Sequence, residues 1–116
     1  ATLVAVLDRL FYSTGFDKRM KVGASVVVAR RGGCSATFDE LNKYFTINQM
    51  PVVSSRYWNM VHGNTPEEVR QDAEGMQTMR NLARNLLWMV QCIQAGKAAG
   101  LQPPQAESEA RTNFIR

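Results

Sequence analysis

The chain has 116 residues, of which 45% are hydrophobic and 21% charged, a globular balance that allows one domain and excludes extensive disorder. Its net charge of +4 is spread thinly, the densest groups being Lys18-Arg19-Met20-Lys21 and Arg30-Arg31, so it reads as a solvated surface and no nucleic-acid partner is expected. Two cysteines without a CxxC pair and a single histidine are too few ligands for structural zinc.

Cys34 and Cys92 read as free thiols of a reducing, cytoplasmic setting. No apolar run approaches the ~18 residues that a membrane span needs, and no membrane partner is expected.

Residues 1–12 read as a helix, with Leu3, Val6, Leu7 and Leu10 on one face. Ala1 falls inside this pattern with no N-cap before it, so the chain is expected to start within a longer protein. Gly15 ends the helix. Val22 to Ala29, with Val26-Val27-Val28 at its centre, lacks polar alternation, as a strand buried on both faces does in a parallel sheet. Arg30 to Ser35 form a glycine-bearing loop. Thr37-Phe38-Asp39-Glu40 has the capping-box pattern and predicts a helix from Thr37, with Phe38, Leu41 and Phe45 as its apolar face.

Pro51 to Ser55 read as a second strand and Arg56 to Gly63 as the loop that leaves it. Thr65-Pro66-Glu67-Glu68 combines an N-cap, a first-position proline and first-turn acids. The helix it starts is predicted to reach a C-cap at Gly96. Its core face is Met76, Met79, Ala83, Leu86, Val90 and Ile93. Trp88 points the opposite way, so burial by the tail or by another subunit is expected. Residues 1–96 thus form an α/β unit and 97–116 an extended tail carrying Phe114 and Ile115. Two strands leave open sheet edges, so a missing N-terminal half or companion chain is expected to complete the sheet.

In open α/β sheets, ligands bind beyond the carboxyl ends of the strands. Residues 30–37 and 54–65 leave strand ends on that edge and lead into helix N-termini, which suit electron-rich groups. Gly32 and Gly33 would let a ligand approach the backbone. Tyr57, Trp58 and His62 form an aromatic-rich loop where a planar ligand could stack. Cys34 lacks the arginine six residues later that a cysteine-phosphatase loop requires, position 40 being Glu40. It is taken as an ordinary loop cysteine, and thiol catalysis would require His62 nearby.

Three stretches resemble the NAD(P)H-dependent FMN reductase group of the flavodoxin-like superfamily, close to its iron–sulfur flavoprotein branch. They are Leu7 to Tyr12, Ala29 to Gly33 with Thr37 to Phe45, and Met50 to Glu68, the last being the most specific. The tail Arg111 to Arg116 also resembles the family's ending. The resemblance implies the C-terminal half of a flavodoxin-like three-layer fold, with parallel strands and flanking helices. It implies FMN and NAD(P)H as cofactors, hydride transfer to a small-molecule electron acceptor, and a homo-oligomer. Arg30, Arg31, Gly32, Gly33 and Thr37 would lie on the pyrimidine side of the flavin, while Tyr57, Trp58, Asn59 and His62 would close its pocket. No catalytic acid–base pair and no metal ligand is expected here. The family's phosphate loop would lie upstream of Ala1, leaving this piece inactive alone. Arg56 departs from the pattern, which has a neutral amide there. A non-catalytic half-domain that completes a sheet with another chain is the alternative.

Overall fold

The computed structural model describes residues 2–114. Ala1, where the first predicted helix begins, and Ile115 and Arg116, which end the predicted tail, lie outside the described residues. The elements in order are α1 (Thr2–Asp8), which continues as a π-helical turn (Arg9–Ser13), β1 (Val27–Ala29), α2 (Cys34–Ile47), β2 (Met60–His62), α3 (Pro66–Gln71) and α4 (Ala73–Ala98). This mixed order around a parallel pair of strands is compatible with an α/β fold.

The second strand lies later than the sequence suggested. Within residues 51–55, Val52 bridges Gly23 in parallel, while the strand proper is Met60–His62, paired as Val27↔Met60, Val28↔Val61 and Ala29↔His62. Both bridges belong to one interrupted pairing. Gly23 N donates to Pro51 O and Val53 N to Gly23 O, each at 2.9 Å, and pairing resumes where Val27 N donates to Asn59 O at 3.0 Å. Residues 54–59 bulge out between these points. The excursion is pinned by Asn59, whose side chain is 1% exposed. Its Nδ2 donates to Ser25 O at 3.0 Å, and Ser55 Oγ lies 2.7 Å from its Oδ1. A buried amide without these partners would cost about 1–3 kcal/mol.

Successive strand residues face opposite sides, and helices cover both. On one side Val27 packs with Cys34 and Leu41 of α2, joined by Leu7, Ala29, Phe38 and Met60. On the other, Val61 lies against Gly75 of α4, where an added Cβ would come 3.0 Å from Val61 Cγ1. Full burial of a side chain such as Val61 or Leu82 stabilises by roughly 1.5–3 kcal/mol. The cover on this second side stops at β2, so Val28 is 56% exposed. Leu3, Val6 and Leu10 of the first helix are also exposed. Together with the solvated residues beyond α4, this gives a radius of gyration of 17.3 Å, against about 13 Å for a compact domain of ~100 residues.

Helix boundaries follow their caps. α2 starts at Cys34 rather than Thr37, because Gly33 adopts φ 90° as its N-cap, a conformation that favours glycine. Thr37 serves the first turn instead of opening it, its N–H and Oγ donating to Gly33 O at 3.2 and 3.0 Å. The start at Thr65 is as expected, with Thr65 Oγ1 accepting from Glu68 N at 3.3 Å. The predicted long helix is broken once, at Asp72, which caps α4 by accepting from Gly75 N at 2.9 Å. α4 then runs past Gly96 to Ala98. Gly100, at φ 86°, closes it, with Leu101 N donating to Gly96 O and Gly100 N to Lys97 O, a Schellman end.

The deepest face of α4 is Gly75, Thr78 and Leu82, one position before the predicted stripe, and Ala83 is exposed. Trp88 is 63% exposed, so the described tail does not bury it.

Tyr44 of α2 holds the first helix in place. Its hydroxyl donates to Asp8 Oδ1 at 2.6 Å, and Phe11 packs on Tyr44 and Phe45. The bond to Asp8, then burial, pushes the Tyr44 phenol up to about 12. Below pH ~10 both folded and unfolded chains keep this proton and the bond contributes fully. Between pH ~10 and ~12 the unfolded chain releases it first, so stability falls as pH rises. Denaturant midpoints measured at pH 9 and pH 11.5 should therefore fall further for the wild type than for Tyr44→Phe; equal falls would contradict this role.

Candidate functional site

Because β1 and β2 are parallel, their carboxyl ends, Ala29 and His62, lie side by side at one edge. Gly63 N donates to Ala29 O at 3.1 Å and locks the two exits together. Arg30, Arg31, Gly32 and Gly33 leave this edge exposed to solvent. A Cβ at Gly32 or Gly33 would meet no atom within 4 Å, so the backbone is open to approach from outside. Thr37 is exposed in the first turn of α2. The fold thus gathers Arg30, Arg31, Gly32, Gly33, Thr37 and His62 on one edge.

His62 is tied in from two directions. Its backbone N–H donates to Asp72 Oδ2 at 2.8 Å, and its Nδ1 lies 3.9 Å from the same oxygen. Its Nε2 lies 3.9 Å from Cys34 Sγ. The Asp72 carboxyl is held below its ordinary range by the N–H of Gly75 first and that of His62 next, with the imidazole adding a smaller effect. Sequence reasoning missed Asp72 because the helical periodicity runs straight through it. The available signal was an N-cap residue type three positions before Gly75.

Tyr57, Trp58 and Asn59 sit elsewhere. They belong to the excursion before β2, three to five residues ahead of His62 in the chain. With Phe38, Asn42 and Val52–Arg56 they line a cleft of about 500 Å³. The Tyr57 and Trp58 rings are exposed, 5.2 Å apart and tilted by 45°, while the amide of Asn59 is engaged inside the chain. Phe38, next to Thr37 on α2, joins the two regions. Among the described residues no group of three or more His, Cys, Asp or Glu is arranged to hold a metal ion, and no helix is long and apolar enough to cross a membrane.

Against known proteins, the chain is similar to an iron-sulfur flavoprotein of Methanocaldococcus jannaschii, with 33% identity over 86 residues. The match covers 68% of this chain and 45% of the relative, so the chain spans less than half of that protein's length. No protein-family model matches, and no solved structure matches.

Asp72 accepts from two backbone N–H groups that belong to different elements. Asp72→Ala should cost about 1–2 kcal/mol in urea denaturation at pH 7, and Asp72→Asn less. A carboxyl held low in the folded state contributes above the ordinary range near 4 and loses that contribution as pH falls through its folded value. The gap between wild type and Asp72→Asn should therefore narrow at pH 3; a constant gap would contradict the carboxylate's role.

Proposed function

We propose that this chain is part of a flavodoxin-like, FMN-dependent oxidoreductase that passes hydride from NAD(P)H through FMN to a small-molecule acceptor. The observation that carries the reading is the meeting of two strand-end loops at one edge of a parallel pair, the place where open α/β sheets bind ligands. The likeness to an iron-sulfur flavoprotein favours a flavin among such ligands.

The residues present fit the pyrimidine edge of a flavin. Gly32 and Gly33 offer uncrowded backbone, and Arg30 and Arg31 supply exposed positive charge suited to a ring that gains negative charge on reduction. FMN, when bound, supplies the redox chemistry; the loop orients the ring and supplies the cations. In this reading Tyr57 and Trp58 serve a neighbouring wall of the pocket, through the cleft they share with Phe38, or meet it across a subunit interface of a homo-oligomer. The phosphate anchor belongs to a part of the enzyme outside this sequence, so the chain alone is inactive and binds weakly. The cytoplasm is the setting the reading implies.

A second reading has its own support. The exposed Val28, Leu3, Val6 and Leu10 suit a non-catalytic half-domain that completes a sheet with another chain. Fluorescence titration of the chain with FMN and with riboflavin separates the two. The flavin reading predicts weak, saturable quenching, with riboflavin bound as well as FMN because the loop meets the ring rather than the phosphate. Arg31→Ala, or Arg30→Ala if that residue carries the contact, should weaken both ligands about two- to fivefold. No saturation at millimolar flavin, or wild-type binding by both variants, would leave the half-domain reading standing instead.

A further inference from the structure

We propose that Cys34, His62 and Asp72 form a peroxide-reactive thiol centre, in which His62 relays the proton and Asp72 orients the imidazole. From the sequence, thiol catalysis at Cys34 required His62 to lie nearby, and Asp72 was not singled out. The fold sets them in a row: Cys34 opens α2, His62 ends β2 and Asp72 caps α4. Cys34 Sγ lies 3.9 Å from His62 Nε2, and His62 Nδ1 lies 3.9 Å from Asp72 Oδ2. At 3.9 Å the carboxylate makes no hydrogen bond to the ring, and its charge alone favours a proton on the nearer nitrogen, Nδ1, which leaves the Nε2 lone pair to face the sulfur. The strand pairing and the 2.8 Å bond from His62 N to Asp72 hold this geometry in the backbone. That three-residue order, thiol, imidazole and carboxylate, is the arrangement that activates a cysteine nucleophile.

Access selects the substrate. Cys34 is 3% exposed, too enclosed for a bulky acyl group, yet the side chain of the His62 that covers it is 42% exposed. A hydroperoxide is small enough to pass beside the imidazole. Nε2 takes the thiol proton, and the thiolate attacks one peroxide oxygen. The S–O bond forms as the O–O bond breaks, sulfur losing two electrons and peroxide gaining them. The leaving hydroxide recovers the proton from His62, so thiol and hydrogen peroxide give sulfenic acid and water. Cys92 stands about 30 Å along α4 from Asp72, too far for a disulfide within the folded chain. A small external thiol must therefore resolve the sulfenic acid. None of this depends on flavin.

The test uses the full chain carrying Cys92→Ser, so that Cys34 is its sole thiol. Hydrogen peroxide is added, sulfenic acid is trapped with dimedone, and the adduct is followed by intact mass, in buffer and in denaturant. A buried thiol without a base reacts more slowly folded than unfolded. The proposal predicts the reverse, about tenfold faster folded. His62→Gln should slow the folded chain on the order of 100-fold, and Asp72→Asn, which removes the charge and keeps one of the two acceptor oxygens, should slow it less. Slower reaction in the folded parent chain, or an unchanged rate in a folded His62→Gln, overturns the proposal. If circular dichroism shows His62→Gln unfolded, the folded-to-unfolded ratio of the parent decides.

Discussion

The parallel pairing of Val27–Ala29 with Met60–His62 is the constraint on which the other features rest. Parallel strands send both carboxyl ends to the same edge, and the bond from Gly63 N to Ala29 O fixes how close the exits lie. From that edge one chain direction turns through Gly33 into α2, and the other passes through α3 to the Asp72 cap of α4. Cys34, His62 and Asp72 come from three elements, and their proximity follows from this register. A slip of one residue would turn His62 to the other face of the pair and break the row.

The same register explains the bulge at residues 54–59. Pairing runs through the Gly23–Val52 bridge and resumes at Val27–Met60, so the second segment spans more residues than the first. The surplus is expelled as a loop bearing Tyr57 and Trp58 and held by the buried Asn59. Its aromatic rings project to solvent beside α2 instead of filling the core, which is how a polar anchor creates an apolar cleft on the surface.

The class of fold was legible because it rests on local signals. The apolar run before Ala29 marked β1, Thr65-Pro66 marked the start of α3, and the alternation of helices and strands implied parallel pairing. The second strand was misplaced because Pro51 to Ser55 have the better strand composition, whereas Met60–His62 pair through backbone contacts with β1 that no local pattern encodes. The helix from Thr37 was late by one turn because the capping-box pattern is sequence-local, while Gly33 caps through its backbone conformation. For the candidate site, the loop at Arg30–Gly33 could be read from its glycines and its place after a strand. The neighbours of Cys34 could not, since they meet only across the sheet register.

If the edge shared by β1 and β2 is where the chain meets a flavin, as proposed, the contact can be mapped residue by residue. Amide chemical-shift mapping of the isotope-labelled chain during titration with FMN into the millimolar range tests it most directly. The account predicts the largest shifts at Arg31, Gly32, Gly33, Cys34 and Gly63, with none at the apolar hollow formed by Met20, Ile93 and Leu101. Shifts confined to that hollow or to the basic surface at Lys18–Lys21, or no shifts at all, would contradict it.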